Sequence, residues 1–306
     1  MSKLVGLVGL LLATLNTVVC STVLLLVALL KLIVPIRAWR DFASQVLVRI
    51  AEAWISVNTL LIDRLLPTSW SIDGLEGLRP DLSYLVLCNH QSWVDIVVLQ
   101  KVFNRRIPFM RFFLKRELIW VPLLGLAWWA LDFPFVRRYS REFLQRHPEL
   151  RGKDLEITRK ACDRFKGRPV SIMNFVEGTR FTTAKHSRQQ SPYRHLLKPK
   201  SGGVGFALGT MGEQIDGLLD ITIVYPGGVP RLWDLASGRV PRVIVHVQYR
   251  DIPADFSDSE RHTTTATRNR LRAWIEGHWK EKDARIAKGH ASASQEAPSL
   301  ASETRG

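Results

Sequence analysis

The longest apolar stretch lies near the start of the sequence, where residues 4–30 contain no charged side chain. As a helix it would be roughly 40 Å long, against a bilayer hydrocarbon core of about 30 Å. The apolar part of a cleaved signal peptide has only about 7 to 15 residues. The pattern therefore predicts a retained transmembrane anchor over residues 1–36. The anchor is either one tilted span or a helical hairpin that breaks near Asn16 and Thr17.

A second helical pattern covers residues 41–66 and ends at Pro67. Its large apolar residues recur at helical spacing: Phe42, Val46, Ile50, Trp54, Val57 and Leu61. Charged residues lie between them, as in helices that lie on a membrane surface. We interpret residues 37–69 as an amphipathic interfacial helix, although the same face could pack on the folded body.

The remaining chain alternates short apolar runs with helical patterns, and we assign residues 70–284 to one folded body. The predicted strands are Tyr84–Cys88, Val170–Val176, Leu219–Tyr225 and Val243–Tyr249. The predicted helices are 92–103, 115–131 with an interruption at Pro122, 153–166, 203–211 and 257–282. This alternation predicts an α/β fold with a mixed sheet covered by helices. Residues 285–306 are small and polar, and they predict a disordered tail.

One further apolar segment lies between Glu117 and Asp132. It is too short for a typical membrane span of about 20 residues. We expect a core helix, or a helix that dips into the membrane interface.

Composition adds a strong positive charge, with 43 Lys and Arg against 28 Asp and Glu, for a net charge of +15. Such a surplus favours a polyanionic partner, either nucleic acid or an anionic membrane with phosphorylated substrates. The strands lack the mix of basic and aromatic residues typical of nucleic-acid binders, so no nucleic-acid partner is expected. Basic residues follow the anchor, which by the positive-inside rule predicts a cytoplasmic body. The three cysteines have no disulfide or zinc spacing.

The sharpest chemical signal is the segment from Asn89 to Asp95, which follows a predicted strand. Ser92 and Asp95 have the spacing of a capping box, with Ser92 at the N-cap and Asp95 at the third helical position. His90 would then lie before the helix, where the Asp95 carboxylate can turn back toward its imidazole. This arrangement suits a general base and the acid that orients it. The simpler interpretation is a helix cap beside an ordinary loop histidine.

A second polar turn follows the strand at 170–176 and reads Glu177-Gly178-Thr179-Arg180. Gly178 allows a close approach of the backbone to a ligand, and Arg180 can hold a phosphate with two donors. Glu177 could order the turn or pair with an arginine. A surface ion pair between Glu177 and Arg180 is the simpler interpretation.

Two further arginines, Arg137 and Arg138, end the apolar segment that follows residue 118. They are candidates for binding a phosphate close to a membrane. An arginine beside any interfacial segment would look the same.

These blocks resemble the 1-acylglycerol-3-phosphate acyltransferase (PlsC-like) family over about residues 70–250. The matching residues are Asn89-His90-Gln91-Ser92-x-x-Asp95, Phe175-x-Glu177-Gly178-Thr179-Arg180 and Val224-Tyr225-Pro226. The phrase Phe-Leu-Lys-Arg-Glu-Leu at 113–118 is similar to a YihG-type bacterial subgroup and to some eukaryotic lysophospholipid acyltransferases. These three matches correspond to the first, third and fourth blocks of the family. The family's second block differs here, because Ala130-Leu-Asp-Phe-Pro-Phe-Val-Arg137-Arg138 stands where many bacterial members have Gly-x-x-x-Ile-Asp-Arg.

The resemblance implies a glycerolipid acyltransferase-like fold with an acyl-chain tunnel, whose wall would include residues 118–131. It implies acyl transfer from a thioester of coenzyme A or acyl carrier protein to the free hydroxyl of a lysophospholipid, without a metal or a bound cofactor. The expected acceptor is 1-acylglycerol-3-phosphate (lysophosphatidic acid), which would give phosphatidic acid. His90 would be the general base and Asp95 its partner. Arg180, with Arg137 or Arg138, would hold phosphate, while Asn89, Gln91, Ser92 and Pro226 would support the blocks. The expected location is the cytoplasmic side of a bacterial inner membrane. Transfer to another lysophospholipid, and a membrane-anchored basic binding protein without catalysis, are the alternatives.

Overall fold

The structure is a computed structural model that describes residues 3–121, 124–136, 146, 167–257 and 264–303. Its strands are β1 (Ser69–Asp73), β2 (Tyr84–Cys88), β3 (Met110–Phe112), β4 (Leu114–Lys115), β5 (Phe135–Val136), β6 (Ser171–Phe175), β7 (Gly217–Val224) and β8 (Arg242–Arg250). Its α-helices are α1 (Lys3–Ile33), α2 (Arg37–Leu65), α3 (Val94–Phe103), α4 (Leu124–Ala130), α5 (Thr183–Gln189), α6 (Ser201–Met211), α7 (Leu232–Ala236), α8 (Ala254–Ser257) and α9 (Thr265–Glu303). Short 3₁₀ turns cover Arg116–Trp120 and Gly212–Gln214.

Six strands form one mixed sheet in the order β1-β8-β7-β2-β6-β3. β7, β2, β6 and β3 run parallel, whereas β8 is antiparallel to β7 and pairs in parallel with β1. β4 and β5 form a separate two-stranded parallel sheet. The predicted mixed α/β sheet covered by helices is confirmed, and the four predicted strands are β2, β6, β7 and β8.

Both faces of the sheet are covered, because successive strand residues point to opposite sides. In β2, Leu85 and Leu87 pack with α6 and α9, while Tyr84, Val86 and Cys88 pack with α3. Two buried faces explain why β2 and most of β7 are continuous apolar runs rather than alternating ones.

The two N-terminal helices pack against each other, and both are long and apolar enough to cross a membrane. α1 is unbroken over Asn16 and Thr17, so of the two alternatives for this segment the structure has the single helix and not the hairpin. The Asn16 side chain donates instead to Trp54 O and Asn58 Oδ1 of α2, and the Trp54 indole donates to Thr17. These bonds satisfy the polar groups without interrupting the helix.

Both ends of α1 also touch the folded body. Near its start, Gly6 lies against Ala236 and Ser237, and near its end Lys31 pairs with Asp132 at 3.1 Å. α2 packs on the body as well, since Asn104 donates to Glu52 O and to the Ser56 hydroxyl.

Two predicted elements differ in the structure. The predicted helix 115–131 is replaced by β4, a 3₁₀ turn and α4, because Leu114 and Lys115 pair with β5 and a proline at 122 cannot continue a helix. Disorder from residue 285 is also wrong, because α9 continues to Glu303. Ile286 is buried in the core and Arg285 pairs with Asp220. The predicted helix 153–166 lies outside the described residues.

Candidate functional site

The predicted site blocks meet at one edge of the sheet. β2 lies between β6 and β7, and the register places Cys88 beside Phe175 on one side and Ile221 on the other. All three strands are parallel, so the segments after Cys88, Phe175 and Val224 leave the sheet at the same edge. In open α/β sheets this edge is where ligands bind.

Asn89 ties the first block to β7. Its side-chain amide donates to Ile223 O and accepts from Ile223 N–H, both at 2.9 Å, and the residue is fully buried. The side-chain amide thus makes the pair of hydrogen bonds that a further backbone residue of β2 would make with β7. These bonds fix the position at which His90 leaves the sheet.

His90 is held on three sides. Its Nδ1 lies 2.9 Å from Asp95 Oδ2, its ring stacks on Phe175 with centroids 3.8 Å apart, and its backbone N–H donates to Glu177 Oε1 at 3.2 Å. The side chain is 13% exposed. With Nδ1 directed at Asp95, Nε2 is the ring nitrogen left to exchange a proton with a substrate.

Asp95 is buried, and its carboxylate faces four donors. Oδ2 takes His90 Nδ1 and the backbone N–H groups of Gln91 and Ser92, while Oδ1 takes the Tyr225 hydroxyl at 2.7 Å. Such saturation suits a charged acceptor in a buried site.

The start of α3 differs in part from the predicted capping box. The helix begins at Val94 rather than at Ser92. Asp95 does accept the Ser92 N–H, as the box requires, but the Ser92 hydroxyl accepts the Val94 N–H and donates to Pro230 O. Ser92 therefore also holds the loop that follows Pro226 against the first block.

Glu177 orders the site rather than pairing with an arginine. Its Oε1 accepts the His90 N–H and its Oε2 accepts the Leu197 N–H at 3.3 Å. Burial, opposed only partly by these bonds, raises the pKa of this carboxyl to about 8. The described residues contain no ion pair between Glu177 and Arg180, so at neutral pH Glu177 is a largely uncharged connection between two blocks.

The turn from Gly178 to Arg180 is fixed through its backbone. Gly178 has a φ of +68°, a left-handed conformation that favours glycine, and its N–H donates to Phe175 O. Thr179 accepts from Lys185 Nζ at 2.7 Å. The exposed Arg180 guanidinium lies over the Trp93 ring at 4.8 Å. The Phe181 N–H donates to His90 O at 2.7 Å, which ties the two blocks together.

Sequence reasoning missed Tyr225, Phe175 and Lys200 as parts of this site. Lys200 packs against Gly178, where a Cβ would lie 3.3 Å from its Nζ, and within the described ranges its ammonium group makes no hydrogen bond or ion pair. Tyr225 and Phe175 stood inside the matched blocks, and their position at the strand ends was the available signal. Arg137 and Arg138 lie outside the described residues.

A row of aromatic rings leads away from His90. Phe175 stacks on His90, Phe112 lies 6.0 Å from Phe175, and Phe133 lies 6.4 Å from Phe112. Phe133 belongs to a cluster formed by α1, α2 and the segment of α4. An apolar surface therefore runs from the histidine toward the N-terminal helices.

Taken together, the edge holds the His90 imidazole, a buried carboxylate behind it and an apolar wall. Among the residues that the structure describes, His90 Nε2 has no hydrogen-bond partner, and the cations of Arg180 and Lys200 have no carboxylate partner. This set can remove a proton from a hydroxyl group beside an anionic and apolar molecule.

Comparisons with known proteins agree with this chemistry. A model of the family described as Acyltransferase matches residues 70–225, about half of the chain, which includes the first two matching blocks and the third as far as Tyr225. Lysocardiolipin acyltransferase 1 from Gallus gallus is 24% identical over 263 residues, which cover 81% of this chain and 64% of that protein. The same protein from Danio rerio is 26% identical, with 78% and 60% covered.

The 1-acyl-sn-glycerol-3-phosphate acyltransferase epsilon of Mus musculus is 24% identical, with 65% of this chain and 56% of that protein covered. The chain thus spans about 60% of the length of these curated relatives. The crystal structure of the 1-acyl-sn-glycerophosphate (LPA) acyltransferase PlsC from Thermotoga maritima aligns with 89% of this chain and 95% of that one, at 18% identity and a TM-score of 0.47. The YihG-type bacterial subgroup stays a prediction.

Proposed function

Because the chain belongs to the acyltransferase family, we propose that it moves a fatty acyl group from an acyl thioester to the free hydroxyl of a lysophospholipid. The acceptor we favour is 1-acylglycerol-3-phosphate, which would give phosphatidic acid. The observation that carries the proposal is the pair of His90 and Asp95 at the carboxyl edge of the parallel strands, with Nδ1 held at 2.9 Å and Nε2 without a partner among the described residues.

In this proposal His90 Nε2 removes the proton of the acceptor hydroxyl as its oxygen attacks the thioester carbonyl. Asp95 holds the imidazole in the reactive tautomer and stabilises the imidazolium that forms. The tetrahedral intermediate then collapses, the carbon–sulfur bond breaks, and His90 returns the proton to the leaving thiolate. The acceptor supplies its own hydroxyl, so no serine nucleophile is required.

We assign the acceptor phosphate to the turn of Gly178, Thr179 and Arg180. Arg180 is exposed, and its only described side-chain contact is the Trp93 ring, a contact worth roughly 0.5–1 kcal/mol. Lys200 supplies a second cation beside the same turn. Neither cation is neutralised by Glu177, whose carboxyl is largely protonated at neutral pH. Arg137 and Arg138 stay predictions.

The acyl chain would lie along Phe175, Phe112 and Phe133 and lead toward α4. This orientation supports attachment to a membrane through α1 and α2. The carrier of the donor acyl group would be coenzyme A or acyl carrier protein. Large apolar side chains are exposed on α1, on the 3₁₀ turn and on α4, including Leu29, Trp120 and Leu126. A bacterial inner membrane and a cytoplasmic body remain part of this proposal.

A second acceptor is favoured by the relatives named lysocardiolipin acyltransferase 1, which match about four fifths of the chain. Under this alternative the enzyme remodels another lysophospholipid with the same residues in the same roles.

The test is an acylation assay on membranes that contain the full chain, with a labelled acyl thioester and products identified by lipid mass spectrometry. The acceptor panel holds 1-acylglycerol-3-phosphate, lysocardiolipin, lysophosphatidylcholine and the phosphate-free monoacylglycerol. We expect the fastest transfer to 1-acylglycerol-3-phosphate. Faster transfer to lysocardiolipin would select the alternative acceptor, and no product above that of membranes without the chain would overturn the proposed function.

A further inference from the structure

Tyr225 closes the side of Asp95 that faces away from His90. It is the first residue after β7, it is buried, and its hydroxyl donates to Asp95 Oδ1 at 2.7 Å. We propose that Tyr225 is a positioning residue that fixes the Asp95 carboxylate and thereby sets the pH range in which His90 accepts a proton. This inference rests on the proposed function of His90 as a general base.

The division of donors between the two oxygens supports this role. Asp95 Oδ2 carries His90 Nδ1 and the N–H groups of Gln91 and Ser92, whereas the donor to Oδ1 is the hydroxyl of Tyr225. Without this hydroxyl, Oδ1 would be a buried acceptor with no donor among the described residues. The carboxylate would then attract the proton on His90 more strongly, since less of its charge is spread into hydrogen bonds.

Tyr225 is suited to act as a constant donor. Burial, with the neighbouring charge of Asp95 and the bond to it, raises the pKa of the phenol well above its ordinary value. The hydroxyl therefore stays protonated over the whole range in which histidine titrates. The backbone at Tyr225 is held in a turn, because the Gly228 N–H donates to the Tyr225 carbonyl oxygen at 3.0 Å.

Other titratable groups near the pair come from three elements. Glu177 follows β6 and is largely uncharged at neutral pH, Cys88 ends β2, and Lys282 of α9 acts from the other face of the sheet. Arg180 lies over Trp93 at the mouth of the site. None of them bonds to Oδ1 of Asp95, so removing the Tyr225 hydroxyl changes that oxygen alone.

The structure offers a matched control in Tyr84. It is also a buried tyrosine on the α3 face of the sheet, and its hydroxyl also makes one hydrogen bond, accepting the Arg79 N–H at 3.0 Å. It lies at the start of β2, at the edge of the sheet away from His90. Tyr84→Phe therefore removes a part-buried hydrogen bond of a buried tyrosine without touching Asp95.

The experiment measures kcat and kcat/KM against pH for the wild-type full chain, Tyr225→Phe and Tyr84→Phe, with thermal unfolding as a check on folding. We expect Tyr225→Phe to lose about 10-fold in kcat, the value of one hydrogen bond to a charged group, and to move the acid limb of its profile to higher pH. Tyr84→Phe should stay within about two-fold of wild type with an unmoved limb. Equal rates and equal limbs in the two variants would overturn the proposal.

A double-mutant cycle sharpens the result. In an Asp95→Asn background, Tyr225→Phe should cost no further activity, because the two residues act through one carboxylate. A further full 10-fold loss would show that Tyr225 acts independently and would overturn the role. Nuclear magnetic resonance titration of the His90 nitrogens needs no turnover, and its midpoint should rise in Tyr225→Phe only. This separates a failure of the Tyr225 role from a wild-type chain that does not acylate, which would contradict the proposed function instead.

Discussion

Glu177 and Asp220 are both buried carboxyl groups at the sheet, and they are stabilised in opposite ways. Asp220 lies on the α9 face of β7, 2.6 Å from Lys282 Nζ and 2.8 Å from the Arg285 guanidinium. Burial alone would raise its pKa, but the charges of these two cations outweigh burial and hold the pKa below its ordinary value. Glu177 has two backbone N–H donors and, among the described residues, no cation within ion-pair distance, and its pKa rises to about 8.

This difference in how buried carboxyl groups are stabilised distinguishes a packing contact, the seam between β7 and α9, from the proposed active site around His90. At the seam between β7 and α9, cations are used to neutralise a buried charge and hold a helix on the sheet. At the edge near His90, the carboxyl groups of Asp95 and Glu177 are satisfied by N–H and O–H donors. Arg180 and Lys200 are thereby left without carboxylate partners in the described structure, as a site for a phosphorylated ligand requires.

The largest expected effect concerns Asp95, the third buried carboxylate. Asp95→Asn should lower the acylation rate by roughly 10³- to 10⁴-fold, because an amide favours the wrong tautomer of His90. Initial rates at saturating acceptor measure the loss.

Asp234 provides the control for a purely capping role. It also accepts the N–H at the start of its helix, from Arg231 at 2.7 Å, but it lies in α7. Asp234→Asn should retain activity within about three-fold of wild type, as expected for a change away from the chemistry. Equal losses in the two variants would reduce Asp95 to a helix cap.

A large effect on stability is expected at the seam. Lys282→Met leaves Asp220 with Arg285 alone, and removing one partner of a buried ion pair costs about 3–5 kcal/mol. Denaturant unfolding in detergent measures the change. Lys280→Met, on an exposed position of α9, should change the free energy of unfolding by less than about 0.5 kcal/mol. An equal free energy of unfolding for Lys282→Met and Lys280→Met would contradict the claim that Asp220 needs Lys282 to be stable when buried.

Glu177 predicts a pH dependence with a definite sign. Its pKa is about 8 in the folded chain against an ordinary value of 4.5, so the folded state holds the proton more tightly. Its contribution to stability is fully present below about pH 4.5 and is lost as the pH rises to about 8. Relative to Glu177→Gln, the wild-type free energy of unfolding should fall by roughly 3–5 kcal/mol over this range. Parallel curves for the two proteins would show that Glu177 is charged when folded.

The smallest effect is expected for Arg180, whose guanidinium has no carboxylate partner in the part of the chain that the structure describes. Arg180→Ala should raise the KM for 1-acylglycerol-3-phosphate by about 10- to 30-fold, the value of one or two charged hydrogen bonds, with little change in kcat. The KM for monoacylglycerol should not change, since it has no phosphate. Arg188→Ala, on an exposed position of α5, is the matched control. An equal rise in both KM values would place Arg180 outside the phosphate site.

The sequence predicted the strands that build the site, because β2, β6, β7 and β8 are apolar runs bounded by polar or turn residues. It missed β1 and β3–β5, which are short or only partly buried. The predicted helix also ended at residue 282, too early, because the residues that follow are mostly small and polar. Ile286 and Arg285 nevertheless pack on the sheet.

In the site, the sequence predicted the meeting of His90 and Asp95, since only five positions separate them. The bonds of Glu177 to His90 N and of Tyr225 to Asp95 join residues 87 and 130 positions apart, which no local pattern records. One clue was present: counting by twos from Leu219 places Tyr225 on the same face of β7 as the residues that pack with α3. Glu177 does not pair with Arg180 because its second oxygen accepts the Leu197 N–H. The sequence pattern does not predict that Leu197 lies beside Glu177.

The most direct test of the account compares two His–Asp pairs of the same chain. His246 Nδ1 lies 2.6 Å from Asp73 Oδ2, a pairing like that of His90 and Asp95, but it lies where β1 pairs with β8. The measurement is the initial rate of thioester-dependent acylation of 1-acylglycerol-3-phosphate by His90→Ala and His246→Ala at equal amounts of membrane-bound protein. The account predicts a loss of at least about 10³-fold for His90→Ala and a nearly wild-type rate for His246→Ala. A nearly wild-type rate for His90→Ala would contradict it.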